Sequence, residues 1–167
     1  MNIIIKHLVT RDYPWVSKML NQHWGSSKIA VHGELIAADQ LPGLIAYVDE
    51  TPAGLLTYRI SEGNLEIVTL NSFIPDIGIG TALISKIKEI ALQKPILRIW
   101  LITTNDNLEA LGFYQKKGFV LVQIHRNAVA QSRILKPSIP LSGNHNLPIR
   151  DEIELEFCIH DPPHNSP

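Results

Sequence analysis

The chain of 167 residues holds a single cysteine, Cys158, which excludes an intrachain disulfide framework and a zinc cage built from several thiolates. A reducing compartment fits that usage. An excess of either charge is also missing: 15 basic side chains stand against 16 acidic ones, for a net charge of −1. No general pull toward nucleic acid or an anionic membrane follows, and neither is expected as a partner. Long apolar runs are lacking too. The first, residues 3–5, is cut by Lys6 and His7, far too early for the apolar part of a signal peptide. None approaches the roughly 20 residues that cross a bilayer as a helix. The seven histidines show no His-Glu-x-x-His or other metal spacing, and no Gly-x-Ser-x-Gly nucleophile elbow occurs. The expectation is a cytoplasmic protein without a bound metal, in which Cys158 is a small buried residue of a strand.

Aliphatic side chains are what the chain has in quantity. Apolar residues make up 45% and charged ones 19%, enough to offset chain entropy in one core, and the length suits one domain. Residues 2–8 are rich in Ile and read as a strand. Thr10 then stands where it can cap a helix over 11–22, with Val16, Met19 and Leu20 on the apolar face. Residues 23–40 read as loop with a short strand or helical turn. Residues 43–48 and 53–60 flank Asp49-Glu50-Thr51-Pro52 and predict a hairpin; 65–70, after Ser61-Glu62-Gly63-Asn64, completes a meander.

Beyond Pro75 the period changes. Leu83, Ile84, Ile87, Ile90 and Ala91 fall on one helical face, and Pro95 ends that helix. Residues 96–102 form a nearly continuous apolar run, as in a strand covered on both faces in a parallel pairing. Asp106, with Glu109 three residues on, has capping-box spacing for a helix that Lys116 and Lys117 close before Gly118. Residues 119–124 are a strand and 127–135 a short helix. In a last strand Ile153, Leu155, Phe157 and Ile159 alternate with Glu152, Glu154 and Glu156; this acidic face is expected to meet water, the alternative being that it faces a pocket and favours a cationic ligand. The class is α/β, with one domain over 1–160, an extended segment 126–150 before the last strand, and a frayed tail over 161–167.

Two stretches carry chemistry. Gly78-Ile79-Gly80-Thr81 follows a strand and opens a helix. Glycines let the backbone approach a ligand, and the first helical turn offers unpaired N–H groups to phosphate oxygens. The alternative is a loop that needs glycine only for its own geometry. A dinucleotide fingerprint is disfavoured by Leu83 where a third glycine belongs, and a P-loop by the missing Gly-Lys-Ser/Thr. The second stretch runs from Asn105 to Phe119, where a helical tyrosine, Tyr114, is by itself no more than a half-buried aromatic.

Together and in this order, the two stretches resemble the GNAT superfamily of N-acetyltransferases. In that family a Gly-x-Gly loop follows the fourth strand, and a later helix carries Asn-x-x-Ala-x-x-x-Tyr before Gly-Phe. Asn107, Ala110, Tyr114, Gly118 and Phe119 match that pattern without a gap. The resemblance covers most of residues 2–124 in element order and is specific mainly over 65–119. It implies a central mixed sheet of about seven strands flanked by helices in a single domain. It also implies acetyl-CoA as co-substrate, with its diphosphate on the backbone N–H groups of Ile77, Gly78, Ile79, Gly80 and Thr81. One position departs: Pro75 stands where the family places Gln or Arg, and Asp76 follows, so the cradle rests on backbone groups alone.

The implied mechanism is direct attack of an amine on the thioester in a split between strands 65–70 and 96–102. An N–H near Leu70 would stabilise the developing oxyanion, and Asn107 and Tyr114 would border the cofactor. Tyr114 would protonate the departing thiolate; its phenol, with an ordinary pKa of about 10, carries a proton at neutral pH. Glu66, in an apolar strand that raises a carboxyl pKa, is the candidate base, against a strand-end glutamate that reaches water. His23 and Trp24 follow the first helix, where such proteins often line the acceptor pocket; Trp24 closing the core is the other reading. The expected acceptor is a primary amine on a small molecule. A non-catalytic acyl-CoA-binding module and a protein or peptide N-acetyltransferase are the alternatives. Segment 126–150, with Arg126, Arg133, Lys136 and Arg150, suits a lid, a homodimer contact or an anion site.

Overall fold

In the computed structural model, which describes residues 1–160, β1 (Ile3–His7) leads through a 3-10 turn at Thr10–Asp12 into α1 (Tyr13–Trp24). Thr10 is not the cap. No side chain caps α1; the Asp12 carboxylate instead accepts the Val9 amide at 2.8 Å. Pro14 in the first turn lacks the N–H that would otherwise need a partner, which sets the start of the helix. The expected frayed tail, 161–167, lies outside the described residues.

Residues 23–40, expected as loop with a short strand or helical turn, hold the end of α1 and then a two-stranded hairpin, β2 (Lys28–Val31) with β3 (Glu34–Ala37). Strands of four residues are too short to display a period. Their turn is His32-Gly33, with φ of +54° and +68°, as a type I′ turn requires. The meander follows as expected: β4 (Gly43–Val48), β5 (Thr51–Ser61) and β6 (Asn64–Ser72), joined at Asp49-Glu50 and Glu62-Gly63, again in left-handed backbone.

The second half alternates helix and strand: α2 (Ile79–Leu92), β7 (Arg98–Thr104), α3 (Leu108–Lys116), β8 (Val120–His125), α4 (Ala128–Leu135) and β9 (Glu152–Cys158). Seven strands form one sheet in the order β1-β4-β5-β6-β7-β9-β8. Only β6 and β7 pair in parallel; β7 pairs antiparallel with β9 on its other side. Leu83, Ile84, Ile87, Ile90 and Ala91 of α2 are buried on one sheet face, where α3 adds Tyr114. Val16 and Leu20 of α1 pack with Ile29 and Leu55 on the other, and α4 lies against the β2–β3 hairpin. No helix among the described residues is long and apolar enough to cross a membrane.

β6 carries two irregularities. Against β5 its register slips at Val68, since Thr57 pairs with Thr69 but Tyr58 with Ile67. The extra residue of this bulge turns Leu70 to the α2 face while Val68 packs on the α1 side. On the other edge, pairing with β7 stops at Glu66 and Trp100 although both strands run on. The sheet is therefore open from Ile67 outward.

Candidate active site

Where β6 and β7 part, a cleft remains. Its wider part, about 290 Å³, lies between Leu70 and Asn71 of β6 and Asn107, Ala110 and Tyr114 of α3, with His23 and Trp24 at the rim. Its inner part, about 130 Å³, reaches Glu66, Glu152 and the Ile29–Val31 stretch of β2. Trp24, Ile67, Val68, Ile102, Thr103 and Asn107 line both, so the two parts are one cleft.

α3 aims three of the expected residues into it. Asn107, Ala110 and Tyr114 are spaced three and four apart and share a helix face. The cap is Asn107, whose side-chain oxygen accepts the Ala110 amide at 3.2 Å, and not Asp106. Asp106 is 3% exposed, and its carboxylate already accepts the Thr104 hydroxyl and the Asn144 amide. Glu109, the expected box partner, points outward to His145 at 2.8 Å. Tyr114 is packed edge-on between Phe113 and Phe119. Burial pushes its phenol well above the usual range, and its hydroxyl has no hydrogen-bond partner among the described residues.

At the head of α2, Gly78 has φ +86° and a Cβ there would meet nothing within 4 Å, so the backbone conformation demands the glycine. Gly80 is different: a Cβ would stand 3.2 Å from the Phe113 ring of α3. The first hydrogen bond in this turn runs from the Ala82 amide to the Gly78 carbonyl. Among the described residues, the amides of Ile77, Gly78, Ile79, Gly80 and Thr81 find no protein acceptor. Unpaired N–H groups at a positive helix end fit a diphosphate. Pro75 and Asp76 are exposed beside them.

The model of the acetyltransferase (GNAT) family matches residues 5–119. The chain belongs to that family. It is also 42% identical over 156 residues to the uncharacterized protein YxbD of Bacillus subtilis (strain 168), covering 93% of this chain and 97% of that one. A second B. subtilis relative, the uncharacterized protein YdhI, is 40% identical and covers 91% of both chains. Solved structures share the fold at low identity. The IAA acetyltransferase from Bacillus cereus ATCC 14579 superposes with a TM-score of 0.68 at 16% identity, over 94% of this chain and 99% of that one. Arabidopsis thaliana Naa50 in complex with the bisubstrate analogue CoA-Ac-MVNAL gives 0.67 at 18%, over 94% and 99%. A GNAT family acetyltransferase from Elizabethkingia anophelis with acetyl-CoA bound gives 0.65 at 18%, over 94% and 98%.

The inner end of the cleft in this GNAT protein is more polar than the sequence suggested. Glu66 is 4% exposed, so it does not reach water, but its neighbours are not apolar. Arg59 Nε donates to one oxygen at 2.6 Å, and His32 Nε2 stands 3.4 Å from the other. Two of the three carboxylates on the acidic face of β9 are also buried, which corrects the expectation of a water-facing surface: Glu152 is 3% and Glu154 9% exposed. Charge partners from other elements make this burial tolerable. Arg98 binds Glu154 and Glu156 at 2.9 and 2.7 Å, His125 binds Glu154 at 3.0 Å, and Ser132 of α4 donates to Glu152. Burial pushes the Glu154 carboxyl up, but the bonds from His125 and Arg98 outweigh it and hold it below its usual value.

His23 and Trp24 both border the cleft. His23 stacks on Phe73 at 4.7 Å, and the Trp24 indole donates to Asn71 at 2.9 Å with 40% of the residue exposed. Trp24 is thus a rim residue, not core. Three of the four basic residues of 126–150 are occupied: Arg133 binds the carbonyls of Ile139, Pro140 and Ile149, Lys136 those of Trp24 and Lys28, and Arg150 pairs with Asp151. They brace a wall beside Trp24, Ile29 and Ala30. Sequence reasoning missed His32 and Arg59 as site residues and preferred a water-facing position for Glu152, which lines the cleft. The one available signal was His before Gly between two short apolar pieces, a hairpin turn with an uncommon first residue.

Proposed function

We propose that the protein transfers an acetyl group from acetyl-CoA to a primary amine on a small molecule. The observation that carries the reading is the single cleft opened by β6 and β7, with the Tyr114 phenol near one end and the Glu66 carboxylate at the other. Acetyl-CoA supplies an activated acyl thioester. The amides of 77–81 and the α2 dipole bind its diphosphate, and the exposed β6 edge near Leu70 offers N–H groups where negative charge develops. Both substrates held side by side lose little further entropy on reaction.

Glu66 takes the proton that an ammonium acceptor must lose, and Tyr114 returns one to the leaving sulfur. Its upward-shifted phenol keeps that proton throughout the physiological range. An inner space of about 130 Å³ bordered by Glu66 and Glu152 favours a small cationic acceptor over a folded protein.

Thiol release from acetyl-CoA across a panel of small amines and short peptides tests the reading. Turnover on amines is expected, and Tyr114→Phe lowers kcat on the order of 100-fold with acetyl-CoA binding retained. Binding of acetyl-CoA with no turnover on any amine would instead mark a non-catalytic acyl-CoA-binding module, and preference for peptides a peptide N-acetyltransferase.

A further inference from the structure

The two oxygens of Glu66 have different surroundings. Arg59 holds Oε2, while Oε1 faces His32 Nε2 at 3.4 Å. Among the described residues that Nε2 is the one buried side-chain nitrogen or oxygen without a hydrogen-bond partner. Across the ring, Nδ1 stands 3.8 Å from Glu152. Glu66 lines the inner cleft, whereas His32, still 23% exposed, borders a neighbouring surface hollow with Gly33, His125 and Gln131, and Glu152 lines both. The imidazole thus spans the wall between the reaction space and outside water.

We propose that His32 is a positioning residue that relays the acceptor's proton from Glu66 to solvent. The inference rests on Glu66 as the base and concerns where its proton goes next. An N–H bond of the ammonium breaks as an O–H bond forms on Glu66 Oε1. That bond breaks as His32 Nε2 takes the proton, and the ring then releases its Nδ1 proton to Glu152 or to water. The net result is one proton delivered outside, with the carboxylate restored. The geometry suits this traffic because Arg59 binds only Oε2 and leaves Oε1 to the ring.

The groups facing the ring come from five strands: Glu66 of β6 with Arg59 of β5 behind it, Glu152 of β9, Trp100 of β7 at 5.0 Å and His125 of β8 at 6.3 Å. Glu34 of β3 also feels its charge. His32 occupies a left-handed position, φ +54°, where Asn is the favoured partner of a following glycine.

His32→Asn is therefore the test, since Asn-Gly preserves the turn while removing the relay. With an amine that the wild type acetylates, H32N is expected to lose about tenfold or more in kcat at neutral pH. The KM for acetyl-CoA stays unchanged. The deficit shrinks at higher pH, where the amine enters unprotonated, and added imidazole restores part of the rate. A wild-type kcat at neutral pH, or a loss that neither pH nor imidazole relieves, overturns the relay alone. A wild type that binds acetyl-CoA and acetylates no amine overturns the enzymatic reading, and the relay falls with it.

Discussion

Thr57 and Thr69 place their hydroxyls 2.7 Å apart with the residues 0% and 1% exposed, across the β5–β6 pair beside the bulge. Each satisfies the other, and neither has water to fall back on. Thr57→Val removes one partner at nearly constant shape and strands the Thr69 hydroxyl. Urea unfolding is expected to show a loss of about 1–3 kcal/mol, most of it regained in the Thr57→Val/Thr69→Val double variant. Full additivity of the two substitutions would refute the pairing. Tyr114 belongs to the same scale: burial pushes its phenol up, and its side chain also borders the cleft. All three residues were visible in the sequence, but only Tyr114 stood out, because its motif spacing is local while the threonine pair depends on a register.

The elements owe their placement to short signals of unequal strength. Helix α2 was plain from five apolar residues on one face, and the meander from its turns. The bulge at Val68 was invisible, since it is defined by the partner strand and not by β6 alone. The head of α2 was legible only as glycines, whose separate roles the structure distinguishes. Gly78→Ala puts a Cβ on a left-handed residue at a cost of about 1–2 kcal/mol. A lower midpoint in thermal unfolding and a weaker shift on adding acetyl-CoA are expected. Gly80→Ala, with ordinary backbone, is expected to press on the Phe113 ring and leave the loop conformation intact. Equal damage to acetyl-CoA binding by both would argue that loop geometry is not what the first glycine supplies.

Taken over the molecule, charge is balanced in number but not in place. Glu34, Glu154 and Asp151 all titrate below their usual values. The bond to Arg59 is the main cause for Glu34 and the bond to Arg150 for Asp151; for Glu154, His125 and Arg98 outweigh its burial. The unfolded chain therefore binds more protons than the folded one between the two sets of values. The stability these groups add is complete above the ordinary carboxylate values of 4.5 and 3.8, and is lost as pH falls through the folded ones. Unfolding midpoints are expected to hold from neutral pH to about 5 and then to drop. A drop that is unchanged in Arg98→Met, which removes one clamp on Glu154, would show that the β9 cluster plays no part in it.

Local order along the chain was enough to reveal the α/β class, the helix carrying Tyr114 though not its true cap, the glycine loop and the family they resemble. Each is encoded within a dozen neighbouring residues, where periodicity, capping and backbone freedom act. The surroundings of Glu66 were decided elsewhere. Arg59 and Glu152 come from two other strands and His32 from the β2–β3 turn, and no one spacing brings all three together. Only closure of the sheet and docking of the β2–β3 hairpin do so, because burying a carboxylate requires countercharge and that charge need not be near in sequence.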